Sequence, residues 1–152
     1  MFDFTTVATL IAVVATAVIG GVLFAFSSFV MRGLARLTPA EGIRAMQSIN
    51  ITAVSPVFMT VLFGTAVLAI TVAIAHPTAW TVAGAALYVL GVIGVTAVAN
   101  VPRNNALAGV DALAAGAADA WHRFLVGWQR WNHVRCIAGV ASSSAFLIAA
   151  VA

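Results

Sequence analysis

The sequence predicts an all-α polytopic membrane protein: a bundle of four transmembrane helices whose last helix extends into the cytoplasm. Three observations predict it. Hydrophobic residues make up 63% of the chain and charged residues 7%, whereas a soluble domain carries about 25% charged residues. The seven cationic residues are all arginine, against four acids, too few to cover a water-facing surface. The apolar residues also gather into four stretches, each close to the ~20 residues that cross a hydrocarbon core about 30 Å thick. These stretches are apolar on every face, which excludes the alternating pattern of a membrane barrel. Residues 1–152 read as a single integral membrane domain.

The first span is expected over 5–31, ending before Arg32. It has no basic residue ahead of it and is too long for a secretory signal. The second is expected over 52–75, the third over 78–99 and the fourth over 134–152. Arg32, Arg36 and Arg44 lie in the first connection, and Arg103, Arg123 and Arg130 in the third. The second connection, at His76-Pro77, has no arginine, and Asp3 is the one charge before the first span. The positive-inside rule therefore puts segments 32–51 and 100–133 in the cytoplasm. Both termini then lie outside a plasma (inner) membrane.

The first connection opens with Thr38-Pro39-Ala40-Glu41, which fits a capping box with Pro at the first helical position. Ile43, Met46, Gln47 and Asn50 follow on one face. Gln47 and Asn50 either bond neighbouring helix ends or face a ligand. Pro56 is expected to kink the continuing helix, because it cannot donate to the Thr52 carbonyl. In the third connection, Pro102 favours an extended Val101 and is expected to stop the third helix. Asn100 would then cap that helix, and Asn104 or Asn105 would cap the next. The alternative is that these amides form a polar cluster that binds something. Residues 105–120 read as a short amphipathic helix, with Gly116 as a break.

The fourth helix is expected to begin well before its span. Trp121, Phe124, Leu125, Trp128, Trp131, Asn132 and Arg135 recur at helical spacing as one stripe. Trp128 and Trp131 flank Asn132 and Arg135, giving either interfacial packing or a slot for a planar, partly polar ligand. Ala17, Gly21 and Ala25 form a small-residue pattern for close helix contact. Gly84 and Gly91 share a face of the third span with Tyr88, whose hydroxyl needs a partner. Ser27 and Ser28 either back-bond to carbonyls four residues earlier or point into a pocket at the depth of Asn132.

Other chemistries find little support. His122 and His133 are three turns apart, about 16 Å, and His133 with Cys136 makes at most half a metal site. There is no phosphate loop or dinucleotide fingerprint. No basic soluble face exists for nucleic acid, and no intramembrane acid for ion-coupled transport. A single cysteine leaves no internal disulfide. The expected partners are the lipid bilayer and a small lipophilic or aromatic ligand, and the small-residue faces suit a homo-oligomer.

Several of these residues form a wider pattern. Gly20-Gly21 with Phe24, Phe29 and Leu34, then Met46-Gln47 and Asn50, resembles the opening of the anthrone oxygenase-like family of small four-helix membrane proteins. Asn100-Val101-Pro102 with Asn104-Asn105 and Leu107 is similar to its amide-rich turn. Trp128, Trp131-Asn132 and Arg135 are similar to the head of its last helix. Arg103 stands where that family has leucine. The resemblance implies a cofactor-free reaction of molecular oxygen with an anthrone. It implies that Asn132, Arg135, Asn100 and Asn104 hold an oxyanion, and that Trp128 and Trp131 form the slot. Gln47, Asn50, Met46 and Ser28 are the further substrate-binding candidates. His133 and His122 lie outside the matched motifs, so the proton acceptor is one of them or water. The competing expectation is a non-catalytic membrane protein, either a lipophile-binding module or a subunit of a larger complex.

Overall fold

The computed structural model describes residues 4–152, so Asp3 lies outside the described residues. They form five helices: α1 (Phe4–Leu34), α2 (Pro39–Thr52), α3 (Pro56–Ala75), α4 (Ala79–Ala108) and α5 (Ala117–Val151). No strand is present among them. Helices α1, α3, α4 and α5 are long and apolar enough to cross a membrane. Valine, isoleucine and phenylalanine side chains cover their outer faces.

Helix α5 is the axis of the bundle. Its 35 residues span about 52 Å at 1.5 Å per residue. Along α1, Thr9, Ala12, Thr16, Ile19, Gly20 and Leu23 are buried at spacings of three and four, the stripe expected of a packed helix. This stripe meets α5 where Gly20 faces Gly139. A Cβ on Gly139 would stand 3.1 Å from the Gly20 Cα, so the two backbones touch. Gly84 lies against the Phe146 ring, and Gly91 against the Ala138 methyl. The expected contact through Ala17, Gly21 and Ala25 is not made. Ala17 and Gly21 are exposed, because the buried stripe runs one position away through Thr16 and Gly20.

Spans packed in lipid gain little from hydrophobic association, so close packing and internal hydrogen bonds must hold them. Tyr88, fully buried, donates to the Leu62 carbonyl at 3.0 Å. The Ser142 hydroxyl donates to the Gly84 carbonyl at 2.7 Å, and Ser143 to Val13 at 3.0 Å. Thr16 and Thr65 bond back to carbonyls of their own helices.

Four local expectations are corrected. Pro56 does not kink a continuing helix but begins a new one. The chain breaks at 53–55, the Ser55 hydroxyl caps the Phe58 amide, and Pro56 takes the first-turn position, where its missing N–H costs nothing. Pro102 does not stop α4. Val101 is helical, and widened π-type turns at Leu87–Gly94 and Thr96–Asn100 precede the proline. The loosened turn makes room for the ring, and Arg103 Nη1 donates to the Ala99 carbonyl at 2.7 Å. Asn100, Asn104 and Asn105 are therefore inside a helix rather than capping one. Residues 105–120 are not one helix either. Helix α4 ends at Ala108, Asp111 captures the Leu113 amide in a turn, and Gly116 precedes α5. Such local side-chain bonds compete with helix formation.

At the arginine-rich end, α2 packs against α5. Its capping box forms as expected, with the Thr38 amide and hydroxyl donating to Glu41 at 3.0 and 2.7 Å. These bonds hold the Glu41 carboxyl below the ordinary carboxylate range. Ile43 and Met46 bury against Trp121, Phe124 and Trp128 of α5. Gly42 is needed there, because a Cβ would sit 2.6 Å from the Trp121 ring.

Candidate functional site

Where α1, α4 and α5 leave their glycine contacts, they spread around a cavity of about 240 Å³. Its walls are mainly apolar: Ile19, Leu23 and Phe26 from α1, Met46 and Ile49 from α2, Phe58, Met59 and Leu62 from α3, and Val92 from α4. The polar surface comes from Asn50, Thr96, Asn104, Trp128, Asn132 and Arg135. An apolar pocket with a few convergent polar groups is the usual form of a small-molecule site.

The polar groups form one chain of contacts. Asn132, fully buried, donates through Nδ2 to the Leu23 carbonyl and to the Ser27 hydroxyl, both at 2.8 Å. Its Oδ1 accepts from Arg135 Nη2 at 2.7 Å. Arg135 Nη1 donates to Thr96 Oγ1 at 3.1 Å, and Thr96 in turn donates to the Val92 carbonyl. The guanidinium carbon lies 5.3 Å from the centre of the Trp128 ring. Trp128 Nε1 donates to Asn104 Oδ1 at 2.8 Å, and Asn100 Nδ2 donates to the Trp128 carbonyl at 3.3 Å. Phe26 packs against the same indole with ring centres 5.6 Å apart. Asn132, Arg135, Thr96 and Trp128 are each held by at least two neighbours.

Arg135 is only 8% exposed. Its hydrogen bonds go to neutral oxygens, and Nε is buried without a partner. The described acids, Glu41, Asp111 and Asp119, are all exposed at the surface, and none pairs with it. A buried cation normally has a carboxylate partner, because desolvating an ion costs several kcal/mol. Here the cation faces a cavity instead. That is the arrangement of a site for an anion, or for negative charge that develops on a bound molecule.

Of the ten residues singled out from sequence, Met46, Asn50, Asn104, Trp128, Asn132 and Arg135 line the cavity. Asn100 is fully buried behind Trp128. Gln47 points elsewhere: its Nε2 donates to the Leu107 and Val110 carbonyls at 2.9 and 3.0 Å. It thereby closes the end of α4, one of the two roles open to it. Ser28 bonds back to the Phe24 carbonyl at 2.7 Å, and its neighbour Ser27 meets Asn132 instead. Trp131 is half-buried and does not line the cavity; one residue before Asn132, it is turned about 100° from that side chain. His122 and His133 are exposed and away from the cavity. Arg103 also misses it, lining a shallow groove with Arg123. No group of three His, Cys, Asp or Glu side chains gathers among the described residues.

Sequence reasoning missed Thr96 and the whole α3 wall. Thr96 had a signal, since it precedes Asn100 and Asn104 at intervals of four. Phe58, Met59 and Leu62 had none, because every face of α3 is apolar.

A search of curated proteins and a search of solved structures each gave no match. The family description Anthrone oxygenase matches residues 46–145, a stretch that takes in Met46, Asn50, Thr96, Asn104, Trp128, Asn132 and Arg135. With about two thirds of its length matched, this chain belongs to the anthrone oxygenase family.

Proposed function

We propose that this chain is a cofactor-independent oxygenase of the membrane that oxidises a planar, lipophilic aromatic substrate of the anthrone type with molecular oxygen. The observation that carries this reading is Arg135, a buried cation without a counter-ion at the floor of an apolar cavity. An anthrone has an acidic methylene conjugated to a ketone. Loss of one proton gives an electron-rich anion whose charge rests on the ketone oxygen. Arg135, oriented by Asn132 and Thr96, stabilises that oxygen, while Trp128 forms a flat wall. The anion gives an electron to oxygen, and the two fragments combine through a new C–O bond to a peroxide, which takes up a proton. The O–O bond then breaks as the second methylene hydrogen leaves as a proton. One oxygen atom stays as the new carbonyl and the other departs as water. The carbon loses four electrons and O2 gains four. No aspartate, glutamate, histidine or lysine lines the cavity, so water accepts the first proton.

The size of the cavity supports a fused-ring ligand. A cavity of about 150 Å³ holds benzene, and this one is about 240 Å³. By the arginine distribution, we place the arginine-rich end in the cytoplasm and both termini outside, in the plasma (inner) membrane, with residues 1–152 acting as one integral domain.

The test is oxygen uptake and quinone formation from anthrone by the protein in lipid nanodiscs, above protein-free autoxidation. Arg135→Gln and Asn132→Ala are expected to lower turnover by about 100-fold or more while the protein stays folded. Unchanged turnover in both variants overturns the reading. The absence of a side-chain base in the cavity favours one alternative, a non-catalytic lipophile-binding module. Wild-type protein that binds anthrone, loses binding with Arg135→Gln and shows no turnover would establish that alternative.

A further inference from the structure

Among the described residues, three buried side-chain polar atoms lack a partner: Asn50 Nδ2, Asn100 Oδ1 and Arg135 Nε. Two of them are donors, and both of those residues line the same cavity. Buried polar groups are almost always paired, so each exception requires an explanation. Arg135 stands at the floor. Asn50 stands at the opposite boundary, because Asn50, Val54, Val101 and Asn104 also line an outer groove of about 440 Å³. Val54 and Val101 are exposed on the outer side. The cavity and the groove thus share a wall, between the end of α2 and the proline-bearing stretch of α4, and Asn50 is part of it.

The neighbouring amides are already engaged. Gln47, one turn earlier on α2, has its Nε2 on two carbonyls of the α4 end. Asn104 Oδ1 is taken by Trp128. The Asn50 amide nitrogen is left without a partner, in a residue of the cavity wall. We propose that the ligand is held at two points, its anionic end at Arg135 and an oxygen acceptor remote from that end at Asn50. Asn50 is then the residue that selects molecules carrying the second oxygen. This inference rests on the anion-binding reading of the cavity and adds to it the shape of the ligand: an elongated, planar anion with an acceptor at its trailing edge.

Two probes of nearly equal size separate the two contacts. The anion 2-naphthoate has a carboxylate at one end and nothing polar at the other. The related 6-hydroxy-2-naphthoate adds a hydroxyl oxygen at the far end. Binding to the protein in nanodiscs is measured by calorimetry, with empty nanodiscs subtracted. Wild-type protein is expected to prefer the hydroxylated probe by about tenfold, the worth of one hydrogen bond. Asn50→Leu is expected to abolish that preference, read as the ratio of the two affinities within the variant. Arg135→Gln is expected to weaken both probes alike. Equal wild-type affinities, or a preference that survives Asn50→Leu, overturn the second contact and leave the anion site standing. Failure of both probes to bind, or indifference of both to Arg135→Gln, overturns the anion site and this inference with it. The wild-type preference is read without any variant, so the proposal stays testable even where Asn50→Leu fails to fold.

Discussion

The two halves of this bundle use the same three helices, α1, α4 and α5, in opposite ways. Toward the chain termini, Gly20 touches Gly139, Gly84 takes the Phe146 ring, and Ser142 bonds to the Gly84 carbonyl. The helices touch there, and the buried Thr16 and Ser142 hydroxyls have partners. Toward the arginine-rich end the helices separate, a cavity appears, and every unpartnered buried side-chain polar atom of the described residues lies there. The contrast teaches where this protein keeps its stability and where it gives some up. Sites that must bind something retain groups that the fold alone leaves unsatisfied.

Substitutions at the two ends should therefore behave differently, and the largest effect belongs to the packed half. Gly139→Val puts a branched side chain where a single Cβ already meets the Gly20 backbone at 3.1 Å. We expect a loss of about 3 kcal/mol, read as a lower unfolding midpoint in detergent or nanodiscs. Tolerance of valine would mean that α1 and α5 are not in backbone contact. The open half should respond far less. Arg135→Met replaces a buried cation that lacks a carboxylate by an apolar chain of similar length. Stability is expected to change little, because relief of the unpaired buried charge is offset by the Asn132 Oδ1 left without its donor, with ligand binding lost. A large drop in stability would instead make Arg135 a structural element, and would erase the contrast.

The smallest effect lies outside the spans, at the α2 capping box. The Glu41 carboxyl is held below its ordinary value by the Thr38 bonds. A depressed carboxylate contributes stability above its unfolded pKa and loses it as pH falls through the folded one. Amide exchange in the first turn of α2, corrected for intrinsic rates, should accelerate as pH drops below the ordinary carboxylate range. The Gly20–Gly139 region should not respond. Equal sensitivity at both places would mean that α2 and the bundle unfold as one unit.

The spans, the α2 start and the early start of α5 were legible because each rests on a local cause. Long apolar runs, a capping box and an aromatic stripe at helical spacing announce themselves within a few residues. What was not legible depended on register. Pro102 normally ends a helix, yet two widened turns upstream let α4 pass through it. The same uncertainty of phase misassigned the small-residue contact, since Gly20 and Gly21 are adjacent but face 100° apart. The site followed the same rule. Asn132 and Arg135, three apart on α5, were found with Trp128. Trp131 belonged to the same sequence pattern and stands outside the cavity. The α3 wall carried no polar mark at all, so only the tertiary structure could supply it.

The overlong α5 has one more consequence. Its 35 residues exceed what a core about 30 Å thick requires. The surplus carries exposed Asp119, Arg123 and Arg130 on one side and buried Trp121 and Phe124 on the other. That end is folded by water, whereas the rest of the bundle is folded in lipid. Water-driven burial weakens on cooling and in urea; contacts between spans obey a different solvent. Two packing clusters are thus joined along one continuous helix. The cavity sits at their seam, where Met46 and Trp128 belong to the first and Leu23 and Leu62 to the second.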